Sequence, residues 1–253
     1  MDTDTQVTEY QPSIGQRLAD ALAGAWFIVV FVTCCVICLI CTVLVPGLAR
    51  RQRAVNALTR VVFWLAGMGP RCDGIRNLPT GPCVMVANHA SYLDGIVMTA
   101  VLPPRFSFVI KAEMNRIPLV GFVLRRIDSF FVDRSHAARS ASSARQIIRA
   151  ARAGRALGFF PEGTFTDEPG LRAFRKGAFA AAKAGKMPIV PVVINGTRHI
   201  LPADRWLPRA GTIRVSLLAP IDAGTVAESS PEDLSAIARQ RISARLAEPD
   251  LQA

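Results

Sequence analysis

Between Ala21 and Ala49 the chain carries no charged residue, and this stretch limits what its amino-terminal part can become. From Trp26 through Val45 the run is almost continuously apolar. A helix needs about 20 such residues to cross the hydrocarbon core of a bilayer. Residues 21–49 therefore read as a membrane-anchor helix, broken by Pro46-Gly47, with Trp26 where an interfacial aromatic belongs. A cleaved signal peptide fits poorly. The leader holds Asp2, Asp4 and Glu9 instead of a basic segment, and the run is too long. Arg50, Arg51, Arg53 and Arg60 follow the run while only Arg17 precedes it, so a span would leave everything after it on the cytoplasmic side. The alternative is a helix lying in one leaflet. Residues 61–67 form a second apolar patch, too short to span, which reads as an interfacial helix.

These signals divide the chain into a polar tail (1–20), an anchor (21–49), an interfacial amphipathic segment (50–69) and one domain (70–253). Its 30 Lys and Arg against 19 Asp and Glu give a net charge of +11, which suits an anionic bilayer, a phosphorylated substrate or nucleic acid. Of the six cysteines, Cys34, Cys35, Cys38 and Cys41 lie inside the apolar run, and Cys72 and Cys83 are scattered. With no second Cys pair and no spaced histidines, neither a zinc site nor a disulfide framework is expected.

After Pro70 short apolar runs alternate with helical stretches. Strands are predicted at 83–87, 106–110, 129–132, 156–160, 189–194 and 213–217. Helices are predicted from Ser135 to Ala153, stopped by Gly154, from Ala178 to Ala184, and from Ser230 onward, where Ser230 caps and Pro231 takes the first helical position. Alternation of this kind implies an α/β domain with a mostly parallel or mixed sheet and flanking helices.

Two constellations carry chemistry. In Asn88-His89-Ala90-Ser91-Tyr92-Leu93-Asp94 a strand gives way to a helix, so His89 falls in the turn and Asp94 in the first helical turn. The carboxylate can then orient one imidazole nitrogen and leave the other as a general base. Ser91 and Asp94 also have the spacing of a capping box, a purely structural role. The second constellation lies at other strand ends: Lys111, then Asp133-Arg134, then Pro161-Glu162-Gly163-Thr164, with Arg175-Lys176 soon after. Loops beyond the carboxyl ends of strands form the binding crevice of α/β sheets, and Lys, Arg and glycine amides suit a phosphate. Taken one at a time, these are ordinary turns and solvated charges.

Together the blocks resemble the glycerolipid acyltransferase family, specifically the 1-acylglycerol-3-phosphate acyltransferases. Asn88-His89…Asp94 resembles its Asn-His-x4-Asp motif, Phe131-Val132-Asp133-Arg134 its second block, and Phe160 to Thr164, with Phe174 to Ala178 behind, its Phe-Pro-Glu-Gly-Thr block. Residues 189–194, with Pro191 at the centre, resemble the fourth. The resemblance implies that His89 is the general base and Asp94 its orienting partner. Lys111 and Arg134 would hold the acceptor phosphate, with Glu162, Gly163 and Thr164 at its glycerol-phosphate part. Asn88, Pro161, Arg175 and Lys176 would support them, and Pro191 would shape the acyl-donor side.

The implied reaction moves an acyl chain from acyl-CoA or acyl-acyl-carrier protein to the sn-2 hydroxyl of lysophosphatidic acid. No cofactor beyond the acyl thioester is implied, and no metal. The implied partners are lysophosphatidic acid, the acyl thioester, membrane lipids and an acyl-carrier protein as possible donor, not nucleic acid. The implied location is the cytoplasmic face of the inner membrane. Another lysophospholipid or a lyso-aminolipid is the nearest alternative acceptor. A non-catalytic basic membrane module would need neither His89 nor the Pro-Glu-Gly-Thr block. His136 and His199 show no ligand spacing, which speaks against a metallohydrolase.

Overall fold

A computed structural model describes residues 13–133 and 137–251. Nine helices and seven strands are found among them: α1 (Ile14–Leu44), α2 (Leu48–Leu65), β1 (Arg71–Asp73), β2 (Val84–Ala87), α3 (Leu93–Val101), β3 (Phe106–Lys111), α4 (Pro118–Arg126), β4 (Phe130–Val132), α5 (Ala137–Arg152), β5 (Ala156–Phe159), α6 (Gly177–Gly185), β6 (Ile189–Asn195), α7 (Thr197–Ile200), β7 (Arg214–Leu217), α8 (Ala223–Glu228) and α9 (Pro231–Ser243). The strands form one sheet in the order β1-β7-β6-β2-β5-β3-β4. Every neighbouring pair is parallel except β6 with β7. This is the mixed α/β architecture that the alternation predicts.

All six predicted strands form. The seventh, β1, gives no sequence signal because Arg71, Cys72 and Asp73 are all exposed and lie at the sheet edge. Side chains of the central strands alternate between two cores. Met85 and Ala87 join Leu93, Val97 and Met98 of α3 and Phe63 of α2 on one face. Val84 and Val86 join Ala151 of α5, Phe179 of α6 and Leu234 of α9 on the other. Alternation of this kind is what a doubly covered parallel strand requires. Capping works as expected in α9, where Ser230 Oγ accepts from Asp233 N at 3.1 Å.

Helices α1 and α2 meet at the predicted Pro46-Gly47 break and run back along each other. From Leu18 to Leu44, α1 is long and apolar enough to cross a membrane. One of its sides is nevertheless covered. Phe27, Val30 and Cys34 are buried in the core shared with Val62 and Phe63 of α2. Further along, Thr42 is fully buried and its carbonyl accepts from Arg126 Nε of α4 at 2.9 Å. The opposite side, including Leu22, Trp26, Val29, Val32, Val36, Ile40 and Val43, is exposed. Helix α2 is tied to the domain by Asn56, which donates to Leu102 O at 2.9 Å, and by Arg60, which donates to Ala100 O at 2.8 Å. These bonds satisfy carbonyls at the end of α3 that its own helix leaves open.

Candidate active site

The sheet order places β6, β2, β5, β3 and β4 side by side, all pointing the same way. Their carboxyl ends therefore open onto one crevice, which gathers the loops that hold His89, Pro161 to Thr164, Lys111 and Asp133. Extending the register from Val86↔Phe159 and Phe108↔Gly158 sets Asn88, Pro161 and Lys111 level across three strands. At about 4.8 Å per strand, Lys111 stands about 10 Å from the start of the His89 turn.

Asn88 ends β2 in a specific way. Its Nδ2 donates to Ile194 O at 2.9 Å and its Oδ1 accepts from Ile194 N at 2.7 Å. The side-chain amide stands in for the next peptide unit of the β2–β6 ladder, so the main chain is free to turn at His89. Ser91 Oγ then donates to Leu201 O at 2.6 Å, which holds the far end of the turn.

Asp94 is fully buried at the first turn of α3. Three donors converge on its Oδ2: His89 Nδ1 at 2.8 Å, Ala90 N at 2.7 Å and Ser91 N at 2.8 Å. The capping and orienting roles, alternatives in the sequence, are thus filled by one oxygen. To donate to a carboxylate, Nδ1 must carry the ring proton, which leaves Nε2 with its lone pair. Nε2 has no hydrogen-bond partner among the described residues, and the His89 side chain keeps 18% of its surface. Its ring is stacked on Phe160, with centroids 4.4 Å apart, and meets the edge of Phe165 at 4.7 Å. Phe165 in turn meets Tyr92 at 4.7 Å. The imidazole is therefore fixed in orientation, walled by aromatic rings and open at one nitrogen.

Glu162 lies behind this group. It is 4% exposed, and both oxygens accept from backbone: Oε1 from His89 N at 2.6 Å and Oε2 from Arg172 N at 2.8 Å. In this arrangement it fixes the His89 turn from inside. Burial pushes its carboxyl up to about 7, against the pull of the two backbone N–H groups, and the nearby Asp94 charge adds to the rise. Gly163 adopts φ 78°, the left-handed turn that lets the chain leave β5.

The remaining predicted residues are placed unequally. Lys111 and Thr164 are exposed at the crevice. Arg175 is also exposed, and its main chain donates to Pro161 O at 2.8 Å. Lys176 is paired with Glu232 of α9. Asp133 is paired with Arg139 of α5 at 3.0 Å. Arg134 and His136 lie outside the described residues. Pro191 is buried within β6, three positions before the Ile194 that Asn88 clamps. Its carbonyl accepts from Leu218 N at 2.9 Å, so its missing N–H faces the β7 side and costs no bond with β2. Phe165, Tyr92 and the Arg172 amide join the site without a sequence signal that marks them. Phe165 is a single phenylalanine between two threonines, a pattern with no periodicity.

The acyltransferase family model matches residues 69–195. The 1-acyl-sn-glycerol-3-phosphate acyltransferase of Saccharomyces cerevisiae is 29% identical over 204 residues, 79% of this chain and 66% of that protein. The Brassica napus chloroplastic protein of that name is 31% identical over 152 residues, 59% of this chain and 44% of that protein. The Borreliella burgdorferi one is 27% identical over 193 residues, 76% of this chain and 77% of that protein. The chain thus spans two thirds or less of the first two relatives. The solved structure of the 1-acyl-sn-glycerophosphate (LPA) acyltransferase from Thermotoga maritima superposes with a TM-score of 0.76 at 22% identity, covering 90% of this chain and 94% of that one. At that identity the likeness concerns the fold.

Proposed function

The chain belongs to the acyltransferase family, and we propose that it esterifies the free sn-2 hydroxyl of lysophosphatidic acid with an acyl group from a thioester, giving phosphatidic acid. The observation that carries this reading is the His89–Asp94 pair, 2.8 Å apart, with Nε2 left open toward the crevice. Nε2 takes the hydroxyl proton as the acceptor oxygen attacks the thioester carbonyl carbon. A C–O bond forms, the C–S bond breaks, and the proton passes from the imidazolium to the departing thiolate. Asp94, whose second oxygen has no partner among the described residues, stabilises the transient imidazolium. Neither serine nor cysteine lies in hydrogen-bond reach of Nε2 among the described residues, which favours direct transfer over an acyl-enzyme. The acceptor phosphate lies toward Lys111 and Arg134, and its glycerol toward Gly163 and Thr164.

The exposed side of α1 is assigned to lipid, with the catalytic domain on the cytoplasmic face. The packing of α1 favours a helix lying in one leaflet. A span would draw the later part of α2, with Arg60 bonded to Ala100, and the chain at Leu207 and Pro208 that crosses α1 at Gly24 through the hydrocarbon core. Labelling of a cysteine placed in the amino-terminal tail of sealed vesicles tests this. Access from the domain side supports the in-plane helix, and access only from the opposite side supports a span.

The acceptor is tested by incubating the purified protein in detergent with acyl-CoA and a panel of lysolipids, with mass spectrometry of the products. Phosphatidic acid as the dominant product is expected. A product made only from a lyso-aminolipid or another lysophospholipid would move the substrate and keep the chemistry.

A further inference from the structure

All three tryptophans of the chain are exposed, Trp26 at 53%, Trp64 at 76% and Trp206 at 90%. Trp26 and Trp64 lie side by side, and the loop that carries Trp206 packs on the same helix, α1. Trp26 Nε1 donates to Leu65 O at 2.9 Å, which brings it beside Trp64 at the end of α2. Two residues before Trp26, at Gly24, the loop that carries Trp206 crosses α1. A Cβ on Gly24 would lie 2.7 Å from Pro208 O and 3.3 Å from Leu207 Cβ, so the crossing requires glycine.

The loop is not a loose tip. Its base is closed by Arg209 N donating to Ile200 O at 2.8 Å, and the residue before it, Leu201, holds Ser91 of the His89 turn. Folding therefore fixes a large apolar side chain in water on a loop that packs against α1. The Trp206 indole N–H has no partner among the described residues. An amphipathic ring held this way suits the boundary between headgroups and acyl chains. The flanking charges are Asp204, Arg205 and Arg209, one acid against two bases, on a chain with net charge +11.

We propose that the loop at residues 202–208 is a second lipid-contacting element. Trp206 and Leu207 enter the headgroup region of an anionic bilayer level with Trp26 and Trp64. The inference rests on the reading that the exposed face of α1 meets lipid; the loop packs on the same helix at Gly24. The loop also bears on the crevice. Leu201 joins it to the His89 turn, so seating Trp206 sets the crevice mouth at the height of a lysolipid headgroup.

The test uses the full chain with Trp26→Phe and Trp64→Phe, which leaves Trp206 as its only tryptophan. Vesicles of phosphatidylcholine and phosphatidylglycerol with chains brominated near the headgroup serve as the probe. Quenching and a blue shift of Trp206 emission are expected. In parallel, Trp206→Ala should slow turnover of acceptor presented in vesicles by about tenfold, the scale of one lost aromatic contact. Turnover in detergent should stay at the parent rate. An unquenched Trp206, where a variant retaining only Trp26 is quenched, overturns the loop proposal and leaves the α1 reading intact. Quenching of neither overturns both. If the double substitution does not fold, hydrogen exchange of the parent protein serves instead. Protection of amides 203–207 by vesicles supports the proposal, and unchanged exchange there overturns it.

Discussion

Replacing Asp94 separates a structural cap from a partner in catalysis. Three donors meet at its Oδ2 in a fully buried position, while Oδ1 has no partner among the described residues. In Asp94→Ala all three lose their acceptor. At about 1–3 kcal/mol per unpaired buried donor the cost is about 3–9 kcal/mol, a large share of a domain's ~5–15 kcal/mol. In Asp94→Asn the amide oxygen can occupy the Oδ2 position and the NH2 the vacant side. The flipped amide would point its NH2 at two backbone N–H groups and is disfavoured. Asn therefore keeps all three bonds in neutral form, at a cost of about 1–3 kcal/mol. What it loses is the charge facing the imidazolium. At the 2.8 Å separation and an effective dielectric near ~20, that attraction is at most about 6 kcal/mol. A loss of ~3–6 kcal/mol lowers kcat by about 10²–10⁴. Urea unfolding beside thiol-release kinetics reads both quantities. A folded Asp94→Asn enzyme within about threefold of the parent kcat, a difference under ~1 kcal/mol, would reduce Asp94 to a cap and refute the reasoning.

Further outcomes follow from neighbouring residues. Glu162 binds its proton more tightly folded than unfolded, since burial raises it from 4.5 to about 7. Its contribution to stability is thus full below pH ~4.5 and lost as pH rises through about 7, about 3 kcal/mol at ~1.4 kcal/mol per pH unit. The difference in unfolding free energy between parent and Glu162→Gln should shift by about that amount between pH ~5 and ~8, and a pH-independent difference would contradict the burial account. Asn88→Ala removes both clamps on Ile194 and leaves a buried N–H and C=O unpaired; it should cost about 2–4 kcal/mol, read as a lower Tm. Gly163→Ala forces a Cβ into φ 78°; it should cost about 1–2 kcal/mol and reduce turnover more than Thr164→Ala, measured on the same lysolipid.

The sheet was legible because each inner strand is a short apolar run between turn residues. Cys83 to Ala87 and residues 189–194 are buried almost throughout. β1 was not, because three exposed residues at an edge have nothing to pattern. His89 and Asp94 stand where the turn-then-helix reading put them, since one strand end and one helical turn fix their separation. Glu162 was legible as part of a motif but not in its direction. Nothing in Pro161-Glu162-Gly163 tells that both carboxylate oxygens turn inward onto the amides of His89 and Arg172. The covered side of α1 was hidden for a different reason. The helix is apolar on all sides, so its buried residues Phe27, Val30 and Cys34 look no different from the exposed Val29, Val32 and Val36.

The most direct test of the account is thiol release by the purified protein given an acyl thioester and lysophosphatidic acid, beside His89→Ala. Release that depends on the acceptor and falls by ~10²-fold or more in the variant, the scale of a lost general base, is predicted. Equal release by parent and variant, or no release with either acyl-CoA or acyl-carrier-protein donors, would contradict it.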